Sequence, residues 1–332
     1  KMSQNITPPT AKVKDTILEK HGDKRNDPYY WLKDRENPEV IDYLTKENEY
    51  YDKVTAHTKA FQKDLFEEMK SRIKEDDISV PYFYNEYWYI TRFETSQNYP
   101  IYSRKKGSLD AKEEIIFDCN EMAKGHSYFN LSGVSVSEDN KWVAFGVDLV
   151  SRRQYTIQIK NLETNEILPE KILNTSGGAT WASDNKTFFY VKNDLKTLRS
   201  DKIYRHTLNT GSSKDVLIYE EKDDTFNTFV YKEKSKKYLV IGSSSTLTNE
   251  YQILESDNPT GKFRYFQKRV RGLEYSISHF GDSFYIVTNK DKATNFKLMK
   301  TNENSTSKEN WTDIIPHRKE TLLEGIDIFK NY

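Results

Sequence analysis

An aromatic-rich composition, a change of apolar period near residue 78 and a unit recurring every 45 to 55 residues together predict a mainly β fold. The fold class is an incomplete β-propeller of about five blades with a sixth begun, behind a two-helix N-terminal segment. The 23 Tyr, 17 Phe and 5 Trp dominate the apolar residues, and such side chains favour strands. The expected division is residues 1–77 for the helical segment and 78–332 for the truncated propeller.

The helical segment is announced by Asn37-Pro38-Glu39, an N-cap, a proline at the first helical position and an early carboxylate. Val40, Tyr43, Leu44, Tyr50, Tyr51 and Val54 then fall on one face of a helix over 38–57. Phe61, Leu65, Phe66, Met69 and Ile73 do the same in a second helix. Two such faces need a partner surface.

From about residue 78 only strands are expected. The turn opening each unit reads Asn85-Glu-Tyr-Trp-Tyr, Asn140-Lys-Trp-Val-Ala-Phe, Asn185-Lys-Thr-Phe-Phe-Tyr, Lys236-Lys-Tyr-Leu-Val, Gly281-Asp-Ser-Phe-Tyr-Ile and Lys330-Asn331-Tyr332. A second strand follows at a similar offset in Tyr155–Thr164, Ile203–Gly211, Tyr251–Glu255 and Phe296–Thr301. The spacing is that of four-stranded blades burying both faces against neighbours. The last unit reaches only the opening strand Ile326–Tyr332, an end inside a blade that points to a fragment.

Lys+Arg and Asp+Glu both number 51, so no global charge draws the chain to nucleic acid or an anionic membrane. No apolar run approaches the length of a membrane span, and the polar Lys1–Lys14 lacks a signal-peptide core. Lys1 before Met2 reads as a processed or engineered end, which leaves a removed export signal open. A soluble protein of the cytoplasm or periplasm is expected. The single Cys119, in the strand-like run Glu114–Cys119, excludes an internal disulfide and reads as a buried thiol.

No nucleophile elbow, zinc-protease helix motif, Walker loop or dinucleotide fingerprint is present, so no catalytic residue is assigned. His21, His57, His126, His206, His279 and His317 are scattered, and neither a metal nor a cofactor is expected. The run Gly242–Thr246 reads as turn hydroxyls and Glu220–Asp224 as a solvated loop between blades. The unusual feature is Ser151-Arg152-Arg153-Gln154-Tyr155: either a solvated hairpin tip, or a guanidinium fork for carboxylates of another domain or ligand, with Asp148 as a local partner.

Asp27-Pro-Tyr-Tyr-Trp-Leu32, Arg35–Val40, Ser151–Tyr155, Leu217–Asp224 and Leu322-Leu-Glu-Gly325 together resemble the oligopeptidase B, or protease II, group of the prolyl oligopeptidase family of serine peptidases. The resemblance runs from about Pro8 to the last residue. It implies a parent with a helical segment, a seven-bladed propeller and a C-terminal α/β-hydrolase domain, the last absent here with its Ser-Asp-His triad. It further implies cleavage of short peptides after Lys or Arg, with the propeller gating entry, and it makes Arg152, Arg153 and Asp148 candidates for interdomain contacts or substrate gating. The implied partners are short basic peptides and the chain's own hydrolase domain. The helical face, left without that domain, or a blade edge would then support self-association. The competing reading is a stand-alone propeller that binds proteins without catalysis.

Overall fold

The computed structural model describes residues 6–331. Its backbone divides after Asp76 into two compact units. None of the described helices is long and apolar enough to cross a membrane.

The first unit opens with an antiparallel hairpin, β1 (Thr16–Lys20) and β2 (Asp23–Asp27), closed through His21 and Gly22 at φ 56° and 81°. Two consecutive left-handed residues match the twist of a two-residue hairpin, so the turn, rather than any apolar alternation, specifies it. The expected α1 (Pro38–Thr55) and α2 (Lys59–Ser71) follow. Asn37 Oδ1 accepts the Glu39 amide at 3.0 Å, capping α1 as its sequence requires. Only Val40 is buried; Leu44, Phe61, Leu65 and Phe66 are exposed, and Tyr43 and Tyr50 are half-buried.

The second unit is built of five antiparallel four-stranded blades. Blade one is β3 (Tyr82–Tyr84), β4 (Tyr87–Arg92), β5 (Ile101–Lys106) and β6 (Glu113–Asp118). The one-turn helix α3 (Cys119–Met122) leads to β7 (Asn130–Val136), β8 (Trp142–Asp148), β9 (Tyr155–Asn161) and β10 (Ile172–Trp181). The strand β10 serves two blades: Ile172 and Thr175 pair with β9, and after a register shift Ala179–Trp181 pair with β11 (Thr187–Asn193). Blade three continues through β12 (Ser200–Thr207) and β13 (Val216–Glu220). Blade four is β14 (Asn227–Lys232), β15 (Tyr238–Ser244), β16 (Asn249–Glu255) and β17 (Arg264–Gln267); blade five is β18 (Tyr275–Phe280), β19 (Ser283–Thr288), β20 (Lys297–Asn302) and β21 (Thr312–Ile315).

The cores lie between consecutive blades, and the two-residue period of each second strand supplies both sides. In β8, Val143, Phe145 and Val147 pack toward blade one while Ala144 packs toward blade three. In β11, Phe188 and Tyr190 face blade two while Phe189 and Val191 face blade four. In β15, Leu239 and Ile241 face blade three, and Tyr238 and Val240 join Phe284 and Ile286 of blade five.

Each recurring turn joins the first strand of its blade to the second, one strand later than a unit-opening turn. Asn85, Asn140, Asn185, Lys236 and Gly281 all sit there at φ between 49° and 66°. Three further expectations are corrected. The one-turn helix interrupts the all-strand region because Asp118 caps it through the amides of Asn120 and Glu121, which also ends the strand before Cys119. The polar start of the chain holds a hairpin as well as helices. No strand forms in Ile326–Asn331: the segment lies beside Ser278–Phe280, with Lys234 Nζ on the Ile328 carbonyl at 2.8 Å, and has no ladder partner among the described residues. Tyr332 lies outside the described residues.

Candidate functional site

In an up-and-down blade the strand 2–3 tips and the blade-to-blade connections emerge on one face, and the strand 1–2 and 3–4 turns on the other. The chain also enters this unit on the connection face, where Ile78 bridges Arg92 at the end of β4. Both sequence-singled loops, Ser151–Tyr155 and Glu220–Asp224, lie on that face.

Asp148, the last residue of β8, is 1% exposed. Its Oδ1 accepts the Val150 amide at 2.9 Å, and its Oδ2 accepts the amides of Arg152 and Arg153 at 3.0 and 2.8 Å. The carboxylate therefore shapes the backbone of the tip rather than pairing with guanidinium groups. Ser151 and Arg153 are left-handed at φ 59° and 56°. This irregular tip replaces the strand alternation that would have sent the two arginines to opposite sides. Both side chains are exposed and make no ion pair among the described residues.

The second loop departs further from expectation, because Glu221 within the acidic run is 4% exposed. Arg269, from the connection after β17, reaches Glu221 Oε2 at 2.6 Å and Glu250 Oε1 at 3.0 Å through Nη2. Its backbone amide donates to Glu250 Oε2 at 2.7 Å, and its guanidinium lies over the Phe226 ring at 4.0 Å. Tyr219 donates to Glu221 at 2.7 Å and accepts from Ser243 Oγ at 3.1 Å, which gives the serine-rich run a structural task. Arg199 binds the carbonyls of Glu221, Asp223 and Phe226 at 2.8–3.2 Å. Two arginines thus hold one connection in place.

Burial drives the Glu221 carboxyl upward, but Arg269, Tyr219 and the Asp223 amide outweigh it and hold the group below its usual range. The same carboxylates raise the Arg269 guanidinium against its own burial. Beside this fork is a cleft of about 650 Å3 lined by Asp223, Phe226, Leu247, Thr248, Arg269 and Arg271. Phe226 and Leu247 give the lining apolar surface, and Asp223, Arg269 and Arg271 give it opposite charges. Sequence reading missed Arg269; the available signal was the basic run Lys268-Arg269-Val270-Arg271 directly after the strand Arg264–Gln267, opposite in sign to Glu220–Asp224.

The comparisons agree with this architecture. Residues 8–332 match the model of the prolyl oligopeptidase N-terminal β-propeller domain. The chain is 38% identical to dipeptidyl aminopeptidase BI of Pseudoxanthomonas mexicana, with 100% of this chain and 48% of the relative covered. It is 32% identical to Protease 2 of Moraxella lacunata, covering 97% and 47%. Oligopeptidase B from Leishmania major superposes with a TM-score of 0.87 at 30% identity, covering 95% of this chain and 47% of that one. Oligopeptidase B from Trypanosoma brucei superposes at 0.89 with 27% identity, covering 97% and 48%. The chain spans about half the length of the relatives it matches. The family match over residues 8–332 and the 38% and 32% identities over nearly all of this chain establish that it belongs to the prolyl oligopeptidase family and carries its N-terminal β-propeller domain.

Proposed function

We propose that this chain is the access-controlling half of a serine oligopeptidase that cleaves short peptides after Lys or Arg. The observation that carries the reading is the match of 97% of the chain to Protease 2 at 32% identity, supported by the oligopeptidase B structures. Acyl transfer by a Ser-Asp-His triad would be supplied by a catalytic half outside this chain, so the chain alone is inactive. In this reading the catalytic half covers the connection face, which carries the Arg152–Arg153 tip.

On that face Asp148 fixes the tip, and Arg152 and Arg153 project free guanidinium groups able to pair with carboxylates across the gap. Such pairs favour the closed state and dissolve with salt, gating entry. The test uses a protein in which this chain is continued to the length of its relatives. Replacing both arginines with alanine should lower kcat/KM for an arginyl reporter peptide and flatten its salt dependence; an unchanged salt profile would remove them from gating.

A second reading is favoured by the higher identity, 38%, to dipeptidyl aminopeptidase BI: release of dipeptides from a free N-terminus. Acetylating the reporter decides between them. A blocked peptide is cut by an oligopeptidase and spared by a dipeptidyl aminopeptidase.

A further inference from the structure

A cleft of about 510 Å3 separates blades one and two along their inner strands. Its origin is local. The ladder between β7 and β8 shifts register between Ser132 and Ser135, and Gly133 in that bulge is left-handed at φ +65°. A Cβ at Gly133 would lie 2.2 Å from the Gly177 carbonyl oxygen, so the middle of β7 packs backbone to backbone on β10 and leaves room on the side of blade one.

Blade one lines that room with tyrosines. Tyr82 and Tyr84 come from β3, Tyr89 from β4 and Tyr102 from β5, with Tyr82 stacked on Tyr89 at 5.3 Å. Tyr89 is 8% exposed; the Arg104 guanidinium beside it can only donate to the phenol oxygen, and its own O–H has no acceptor. A buried donor without an acceptor costs free energy that an acceptor entering the cleft would recover. Burial raises the Tyr89 phenol above its ordinary value against the opposing pull of Arg104, so it is a protonated donor at neutral pH.

Two further features define the ligand. No charged side chain lines the cleft. Both β3 and β7 are terminal strands of their sheets, and β7 lines the cleft continuously over Leu131–Val136, with the Ser135 carbonyl already taken by Trp181 Nε1 at 2.9 Å. Unpaired strand edges bind extended main chain by adding a strand, and tyrosine rings beside them suit small side chains.

We propose that this cleft binds an extended, uncharged stretch of peptide main chain, one carbonyl of which accepts a hydrogen bond from the Tyr89 hydroxyl. The proposal rests on the reading that the chain handles peptides. It places a contact for them between blades, apart from the cleft beside Arg269.

Calorimetric titration of the 332-residue chain with acetyl-tetra-alanine amide tests it. Saturable binding is expected, weakened about tenfold by Tyr89→Phe, the typical worth of one hydrogen bond. Tyr265→Phe, at a tyrosine 45% exposed on blade four, should leave binding unchanged. No saturation up to about 10 mM, or equal affinity in Tyr89→Phe, would overturn the proposal. It fails separately from the proposed function: a lengthened protein that spares basic peptides refutes that function even when the chain binds the blocked tetrapeptide.

Discussion

Replacing Arg269 with methionine keeps an aliphatic stem over Phe226 and removes the guanidinium from between Glu221 and Glu250. Those carboxylates are 4% and 6% exposed and would be left without their counter-charge. Breaking a buried ion pair by removing one partner costs about 3–5 kcal/mol. The Arg269 side chain is 29% exposed, so water relieves part of this and the lower end, about 3 kcal/mol, applies. For a unit of this size that corresponds to a Tm lower by about 6–12 °C. The pH dependence fixes the cause. Glu221 titrates below its usual range when folded, so its contribution is present above about pH 4.3, the unfolded value, and is lost as pH falls through the lower folded value. In Arg269→Met burial dominates, the folded carboxyl titrates above the unfolded one, and the variant gains relative stability as pH falls. Thermal melts at pH 7 and pH 4 should show the gap between the two proteins closing, and adding Glu221→Gln should recover part of the loss at pH 7. A loss under about 1 kcal/mol at pH 7, or a gap independent of pH, would refute the reasoning.

The remaining predictions address packing and titration elsewhere. Gly146→Ala sets a Cβ 2.5 Å from the Gly177 Cα, where only backbone could yield, and should cost about 3 kcal/mol in urea unfolding. Gly178→Ala, with open space at its Cβ, should stay within about 0.5 kcal/mol. Cys119 is 1% exposed and its thiol is pushed up to about 12 by burial and then by Asp118. Alkylation at pH 8 should run about three orders of magnitude slower than for a peptide thiol until the protein unfolds; labelling at the peptide rate would contradict that burial. His279 contacts Ser235 and Glu303 at 2.9 Å each, and burial lowers its pKa despite Glu303. Its contribution is complete above about pH 6.5, the unfolded value, and declines as pH falls below it. His279→Gln should flatten the fall in urea midpoint below that pH, and an unaltered slope would reassign it.

What the sequence disclosed follows from what each element must do locally. Second strands of the blades bury both faces, so Val143–Val147, Phe188–Val191 and Tyr238–Ile241 are continuous apolar runs that stand out. The turns before them need left-handed residues, and Asn85, Asn140 and Asn185 supply these in register. First and fourth strands are quieter: β13 and β21 are largely exposed and carry little alternation to read. The hairpin of the first unit was hidden because β2, Asp23–Asp27, contains no apolar residue.

The site was less legible because its contacts are long-range. Nothing in Glu220–Asp224 reveals that Glu221 turns inward, since its partner lies 48 residues away in Arg269. At Ser151–Tyr155 the residue types marked the loop, but its geometry depends on Asp148 accepting three backbone amides. The Tyr89 cleft depends on a bulge in β7, and a bulge is set by the contact between Gly133 and Gly177 rather than by either segment alone.

The central claim, a propeller that admits short basic peptides to a catalytic half, is tested most directly in the protein that continues this chain to the length of its relatives. The measurement is kcat/KM for an arginyl tetrapeptide reporter and for the same four residues embedded in a long peptide. The account predicts efficient cleavage of the short peptide, at least about a hundredfold slower cleavage of the long one, and none of either by the 332-residue chain alone. Equal rates on both peptides, or cleavage by the chain alone that a substitution within it abolishes, would contradict it.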